Sequence, residues 1–439
     1  MSRSLTAVLF GTFTLRFSTG LTGALLVYYL AELETFGARE VSAVEVGMLT
    51  AAFYVAELVL SPLFGSLSDR LGSRRVMQYG PIFGAAAVLM TAITTNLLLL
   101  GVTRWLEGAA AAASIPSILG FIALATSHDE ALRGRAVARF EAATLAGLGL
   151  GLVAAGGLWA VLDRNAFFLN AALYGVSYVI YRFGVTDDGM AAAAAADGEE
   201  EIAAGGPAAV AHGLSWSRYR AVLASRSVWL LAPTWIAVNA FIGAWTSQSI
   251  FQLVKEPRPG FEDQLLMGGF ESWQVSIGLA AALVVFFAGL FYWGNRFRTF
   301  RRTTIMAIGV VGGIGMVAAI AAINHTGDAE GLARLALGGG AAAGLFVLAG
   351  ATPAALGMLA DISEEHPDDR GAIMGLYSVF LALGQIVGSI VGGGAAEWLG
   401  VDGLLLASAA MLILALLPLR WLRGSEHLVG NGARVAASG

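Results

Sequence analysis

The chain has 439 residues, 57% of them hydrophobic and only 13% charged, with a net charge of −5 and a mean hydropathy of +0.72. Soluble domains carry about 25% charged residues, so most of this chain is built to face lipid or other helices, and its acidic balance argues against a nucleic-acid ligand. It has no cysteine, and its five histidines are scattered without a ligand spacing, which excludes disulfides and thiol chemistry and predicts neither a metal nor a cofactor.

Apolar runs of roughly 20 residues recur from end to end, long enough for a helix to cross a bilayer. A membrane barrel would alternate over about ten residues instead. The fold expected is therefore all-α, with twelve transmembrane helices in two six-helix bundles. The spans read as 6–31, 43–64, 76–95, 97–125, 136–160 and 166–184, then 227–252, 271–294, 303–324, 332–360, 371–396 and 400–422. The first run is longer than a signal-peptide core and lacks a small-residue cleavage site, so it reads as a membrane helix. The expected organisation is an N-terminal bundle over 1–185, a linker over 186–225, a C-terminal bundle over 226–424 and a tail over 425–439. The linker is low in complexity and poor in large apolar groups. Its Trp216, Tyr219 and nearby arginines suit a short helix on the membrane surface, or equally an ordinary lead-in to the seventh span.

Of the 26 basic residues, Arg16 and Arg104 lie within spans, 19 fall on one predicted face, and five (Arg39, Arg164, Lys255, Arg258 and Arg334) fall on the other. The positive-inside rule makes the richer face cytoplasmic, and with it both termini of this multi-pass plasma-membrane chain.

The halves repeat. Pro116 to Gly120 matches Pro353 to Gly357 at an offset of 237 residues, and the same offset carries Arg133-Gly134 onto Arg370-Gly371, Gly147 onto Gly384, Gly151 onto Gly388 and Gly156-Gly157 onto Gly393-Gly394. Parallel repeats are one way to build a carrier whose site lies where they meet. Between the second and third spans, Gly65-Ser-Leu-Ser-Asp-Arg-Leu-Gly-Ser-Arg-Arg75 reads as a tight, charged hairpin. A degenerate echo, Phe291 to Arg301, carries Asn295 where the first has Asp69.

These residues resemble the major facilitator superfamily, and the likeness covers all but the linker and tail. Gly65, Asp69, Arg70, Gly72, Arg74 and Arg75 match its loop between helices 2 and 3, and Arg104 with Gly108 matches a helix 4 pattern. Gly147, Gly151, Gly156 and Gly157 approximate the fifth-helix motif of its drug/proton antiporters, with Leu152 in place of the proline and the last glycine pair one residue late. The resemblance implies alternating access and a monomer. It makes Asp69 a gate latch received near Arg370, with Arg74 or Arg75 pairing with Asp129 or Glu130. Arg70, Arg133 and Arg296 complete the gate set, and all of these arginines could equally be topology anchors.

Five charged groups fall within spans, all in the first half: Arg16, Glu57, Arg104, Glu107 and Glu141. A charge at mid-bilayer costs roughly 2.5–3.5 kcal/mol on insertion scales, so each marks a paired or water-lined position. Glu107 is one turn from Arg104, which allows an internal pair. A carboxyl caught between desolvation and a nearby arginine can exchange a proton near neutral pH. The alternative is a static pair that orders the bundle. In the second half the candidates are neutral, Asn239 and Gln248 foremost. The leading expectation is a proton-coupled exporter of a small amphipathic or anionic organic solute in the lipid bilayer. The alternatives are a facilitator or symporter for a metabolite and, remotely, a non-transporting membrane enzyme or sensor.

Overall fold

The computed structural model describes residues 3–126, 130–186, 226–256, 258–296, 299–327, 331–365 and 370–425. The linker expected at 186–225 lies outside them after Thr186, as does the tail beyond Ser425. The elements are α1 (Arg3–Ala31), α2 (Ala43–Leu71), α3 (Ser73–Val76), α4 (Tyr79–Ile93), α5 (Leu97–Ala125), α6 (Glu130–Leu162), α7 (Ala166–Gly184), α8 (Arg226–Val254), α9 (Ser272–Gly294), α10 (Arg302–Asn324), α11 (Gly331–Leu348), α12 (Ala351–Glu365) and α13 (Arg370–Ser425). No strand occurs among the described residues.

Eight stretches among the described residues are long and apolar enough to cross a membrane. Two of them are double. Leu132–Gly184 breaks at a 3₁₀ turn over Asp163–Asn165, and Ser378–Arg423 breaks at Gly400, whose φ of 63° and ψ of −140° interrupt α13. With α1 and α8, each 29 residues and studded with buried polar groups, these stretches make the twelve expected rods.

The chain divides into two compact units. One comprises Met1–Arg39 and Ala52–Leu214, the other Glu40–Ala51 and Ser215–Gly439. Thus the first turns of α2 count with the second unit and the rest of the helix with the first. In the first unit α1 packs on α6 and α7, and α4 on α5 and α7; in the second α8 packs on α13, and α10 on α11.

Glycine lets the paired rods approach to backbone distance, the usual small-residue solution between membrane helices. A Cβ on Gly147 would sit 2.7 Å from the Phe13 carbonyl oxygen and 2.9 Å from the Arg16 Cβ. On Gly384 it would meet the Ile236 carbonyl and the Asn239 Cβ in the same way. Gly151 closes on the Phe17 carbonyl and Gly388 on that of Ala240. Residues 13, 16 and 17 map onto 236, 239 and 240 by a constant 223, while the glycines keep their offset of 237. The duplication therefore extends to packing, and Asn239 is the counterpart of Arg16. Gly151→Val or Gly388→Val should lower the thermal unfolding midpoint sharply, because overpacking costs about 1–3 kcal/mol and here the neighbour is backbone. Gly157→Ala, with open space at its Cβ, should leave the midpoint unchanged.

Two expected boundaries are corrected. The charged hairpin is mostly helix: α2 continues through Gly65 and Asp69 to Leu71, and the turn is Gly72 alone, at φ 87°. Only glycine adopts that conformation at little cost. The span expected at 332–360 is broken between α11 and α12, two residues before Pro353. A proline lacks the amide hydrogen and its ring crowds the carbonyl four residues back, here that of Ala349, whereas α5 carries Pro116 without a break.

Candidate substrate and coupling site

In the first unit, α1 carries Arg16 inward at 7% exposure, and α5 carries Arg104 at 6% and Glu107 at 3%. Three residues apart on one helix, Arg104 Nη1 and Glu107 Oε2 form a buried ion pair. The Arg104 guanidinium also lies 4.9 Å from the Phe53 ring centre on α2. The pair is incompletely satisfied: Arg104 Nε and Glu107 Oε1 are buried without a hydrogen-bond partner. Arg16 has no carboxylate within ion-pair distance among the described residues, yet it is in electrostatic reach of Glu57 on α2 and Glu141 on α6. Glu57 is half-buried and Glu141 exposed. All five in-span charges thus lie in one unit. Arg16 relates to Glu57 and Glu141, and Arg104 to Glu107.

Tyr54, which the sequence did not single out, is within reach of Glu57, Arg104 and Arg16 and so links the two groups. Beside Glu107, Tyr174 stands 3.4 Å from the Thr22 hydroxyl. Asn170 donates to the Ser18 carbonyl (3.1 Å) and the Thr22 hydroxyl (2.8 Å), leaving its Oδ1 buried and unpartnered. Tyr28, Tyr29, Tyr174 and Trp235 are fully buried, and Trp105 is exposed.

In the second unit, Asn239 turns its amide back to the Trp235 carbonyl at 2.8 Å. Gln248 is fully buried, donating to the Ala43 carbonyl at 3.0 Å and accepting from Gln252. It belongs to a clasp on the first turn of α2. Glu397 Oε2 accepts the Ala43 amide hydrogen at 2.7 Å and so caps α2 from another helix, while Arg258 Nη1 pairs with Glu397 Oε1 at 3.1 Å. Lys255 donates to the Val41 carbonyl (2.7 Å) and pairs with Glu40 (2.6 Å). Its hydrogen bond and then its charge hold the Glu40 carboxyl below the ordinary value. That attraction is complete above the ordinary carboxylate range and is lost as pH falls through the lowered value. Glu40 is mostly exposed, so screening limits the pair to about 0–1 kcal/mol. Lys255→Met should raise the Glu40 pKa towards the ordinary carboxyl value, with Arg258 still holding it down, as read by infrared titration of its carboxylate band.

The gate residues are placed as follows. Asp69, Arg70 and Arg75 are exposed. Ser68 and Ser73 join hydroxyls across Gly72 at 3.1 Å. Arg74 reaches the Arg182 carbonyl at 3.4 Å, and Arg133 the Thr126 carbonyl at the same distance. Arg296 stacks its guanidinium 4.8 Å from the Tyr292 ring centre. Asp129 lies outside the described residues, as does the Arg370 side chain.

The family model described as Major Facilitator Superfamily matches residues 8–328 and again 269–437. The chain belongs to the major facilitator superfamily. Among curated relatives, quinolone resistance protein NorA of Staphylococcus aureus is 27% identical over 182 residues, 41% of this chain and 44% of the relative. Multidrug resistance protein 1 of Bacillus subtilis is 30% identical over 131 residues, 30% of this chain and 33% of the relative. The matches thus span less than half the length of these relatives. Among solved structures, nucleoside transporter NupG aligns with a TM-score of 0.69 at 14% identity, covering 97% of this chain and 99% of that one. A peptide transporter POT with bound sulfate aligns with a TM-score of 0.69 at 16% identity, covering 98% and 96%. At such identities the likeness is one of fold.

Proposed function

We propose that this superfamily member is a proton-coupled exporter of small amphipathic organic molecules that carry an anionic group, working by alternating access. The observation that carries the reading is Arg16: a buried cation without an ion-pair partner among the described residues, beside acids that can hold a proton. An unpaired charge in a membrane interior is costly, and an anionic group on the substrate would remove that cost during binding. Glu107, with one oxygen on Arg104 and the other unpartnered, is the proposed proton carrier. Glu57 and Glu141, facing Arg16, would sense the substrate's charge. The names of the curated relatives favour drug efflux, and a quinolone, with its aromatic body and carboxylate, fits the chemistry of the site.

The remaining site residues take proposed roles. Asn239 and Gln248 are the neutral counterparts in the second unit, and Gly65 to Arg75 with Asp129, Arg133, Arg296 and Arg370 form the cytoplasmic gate. The clasp of Lys255, Arg258 and Glu397 is the proposed anchor of the first turn of α2 within the second unit. The test is quinolone uptake into proteoliposomes with an acidic lumen. Accumulation that collapses when a protonophore dissipates the gradient is expected. Equal flux with and without the gradient would overturn the coupling and favour a facilitator.

A further inference from the structure

The second unit has an apolar groove of about 410 Å³ between α8 and α13, which shares no lining residue with the sites above. Trp229, Pro233 and Ala237 form one wall, and Leu414, Pro418 and Trp421 the other. Proline and alanine project little into the space, whereas the two indoles stand at one end of it, 54% and 72% exposed. Tryptophan gathers at the level of lipid headgroups, so the groove runs from the headgroup layer into the hydrocarbon. Its volume is within the ~300–1,000 Å³ typical of small-molecule clefts.

Basic side chains stand at the tryptophan end among the described residues. Arg420 and Arg423 are exposed in the last turns of α13. Residues 226–237 and 411–425 contain no acid. Arg420 follows Leu414 and Leu417 at intervals of three, one step round the helix from the groove wall. Basic residues beside clefts between membrane helices bind anionic headgroups. The lining has no ion-pairing group, so an ionic solute gains nothing inside it, but an acyl chain does.

We propose that this groove is a binding site for an anionic phospholipid, with one acyl chain between Trp229 and Trp421 and the headgroup phosphate at the Arg420 and Arg423 end. The site is independent of the transport reading and fails or stands without it. The test is native mass spectrometry of the full chain released from vesicles in which phosphatidylglycerol is the minor component beside phosphatidylcholine. Phosphatidylglycerol should be retained several-fold above its share of the supply. The double variant Arg420→Gln/Arg423→Gln, altered only at exposed positions, should lose that enrichment while keeping the thermal unfolding midpoint. Ala237→Phe, which fills the groove, should lower retention of both lipids. Retention in proportion to supply by the parent chain would overturn the proposal, and so would enrichment unchanged in both variants.

Discussion

Glu107→Gln is expected to abolish gradient-driven accumulation, by at least about tenfold, in a protein that still folds. The amide keeps the size of the side chain and an oxygen to accept from Arg104, but it cannot bind and release a proton. A tenfold loss corresponds to only about 1.4 kcal/mol, well within what removal of one ionised group from a buried pair can do. Arg104→Ala should behave differently. It strands the Glu107 carboxylate in a buried site, and breaking such a pair costs about 3–5 kcal/mol, so the expected result is a large fall in the unfolding midpoint. Full gradient-driven accumulation by Glu107→Gln would mean that the pair only orders the bundle.

The second large effect belongs to the clasp. Glu397→Ala removes the acceptor of the Ala43 amide and the carboxylate partner of Arg258 together. Leaving a buried donor unsatisfied costs about 1–3 kcal/mol, so the first turn of α2 should detach more often. The chain has no cysteine, so Val41→Cys, at a position only 2% exposed, supplies a unique thiol. Its labelling by a membrane-impermeant maleimide should rise about tenfold when Glu397→Ala is added, since 1.4 kcal/mol is a tenfold shift in population. An unchanged labelling rate would show that the clasp does not hold this turn.

Much of this was legible before any coordinates. Apolar length placed the rods, and the 237-residue offset located Gly147 and Gly151 against Gly384 and Gly388, because a glycine spacing is a local pattern with one main use between membrane helices. The sequence also isolated the five in-span charges, since each is anomalous in an apolar run. It did not foresee that α2 would carry the charged hairpin as helix to Leu71; no apolar signal marks a helix that continues past the hydrocarbon edge. Pro353 ended a helix and Pro116 did not, which depends on how the freed backbone is accommodated rather than on the residue. The clasp was invisible because Glu397 and Ala43 are 354 positions apart, and Lys255 read only as a charge setting topology. Tyr54 gave no signal either, as a tyrosine in a membrane helix is ordinary until two other helices bring Arg16 and Arg104 within reach of it.

The exchange of substrate for protons at the Arg16 and Glu107 site can be read without vesicles. Purified protein in weakly buffered detergent solution with a pH-sensitive dye should exchange protons with the medium when a quinolone is added, in proportion to the fraction bound, and Glu107→Gln should exchange fewer. Binding of the quinolone with no proton exchanged by the parent chain would contradict the account.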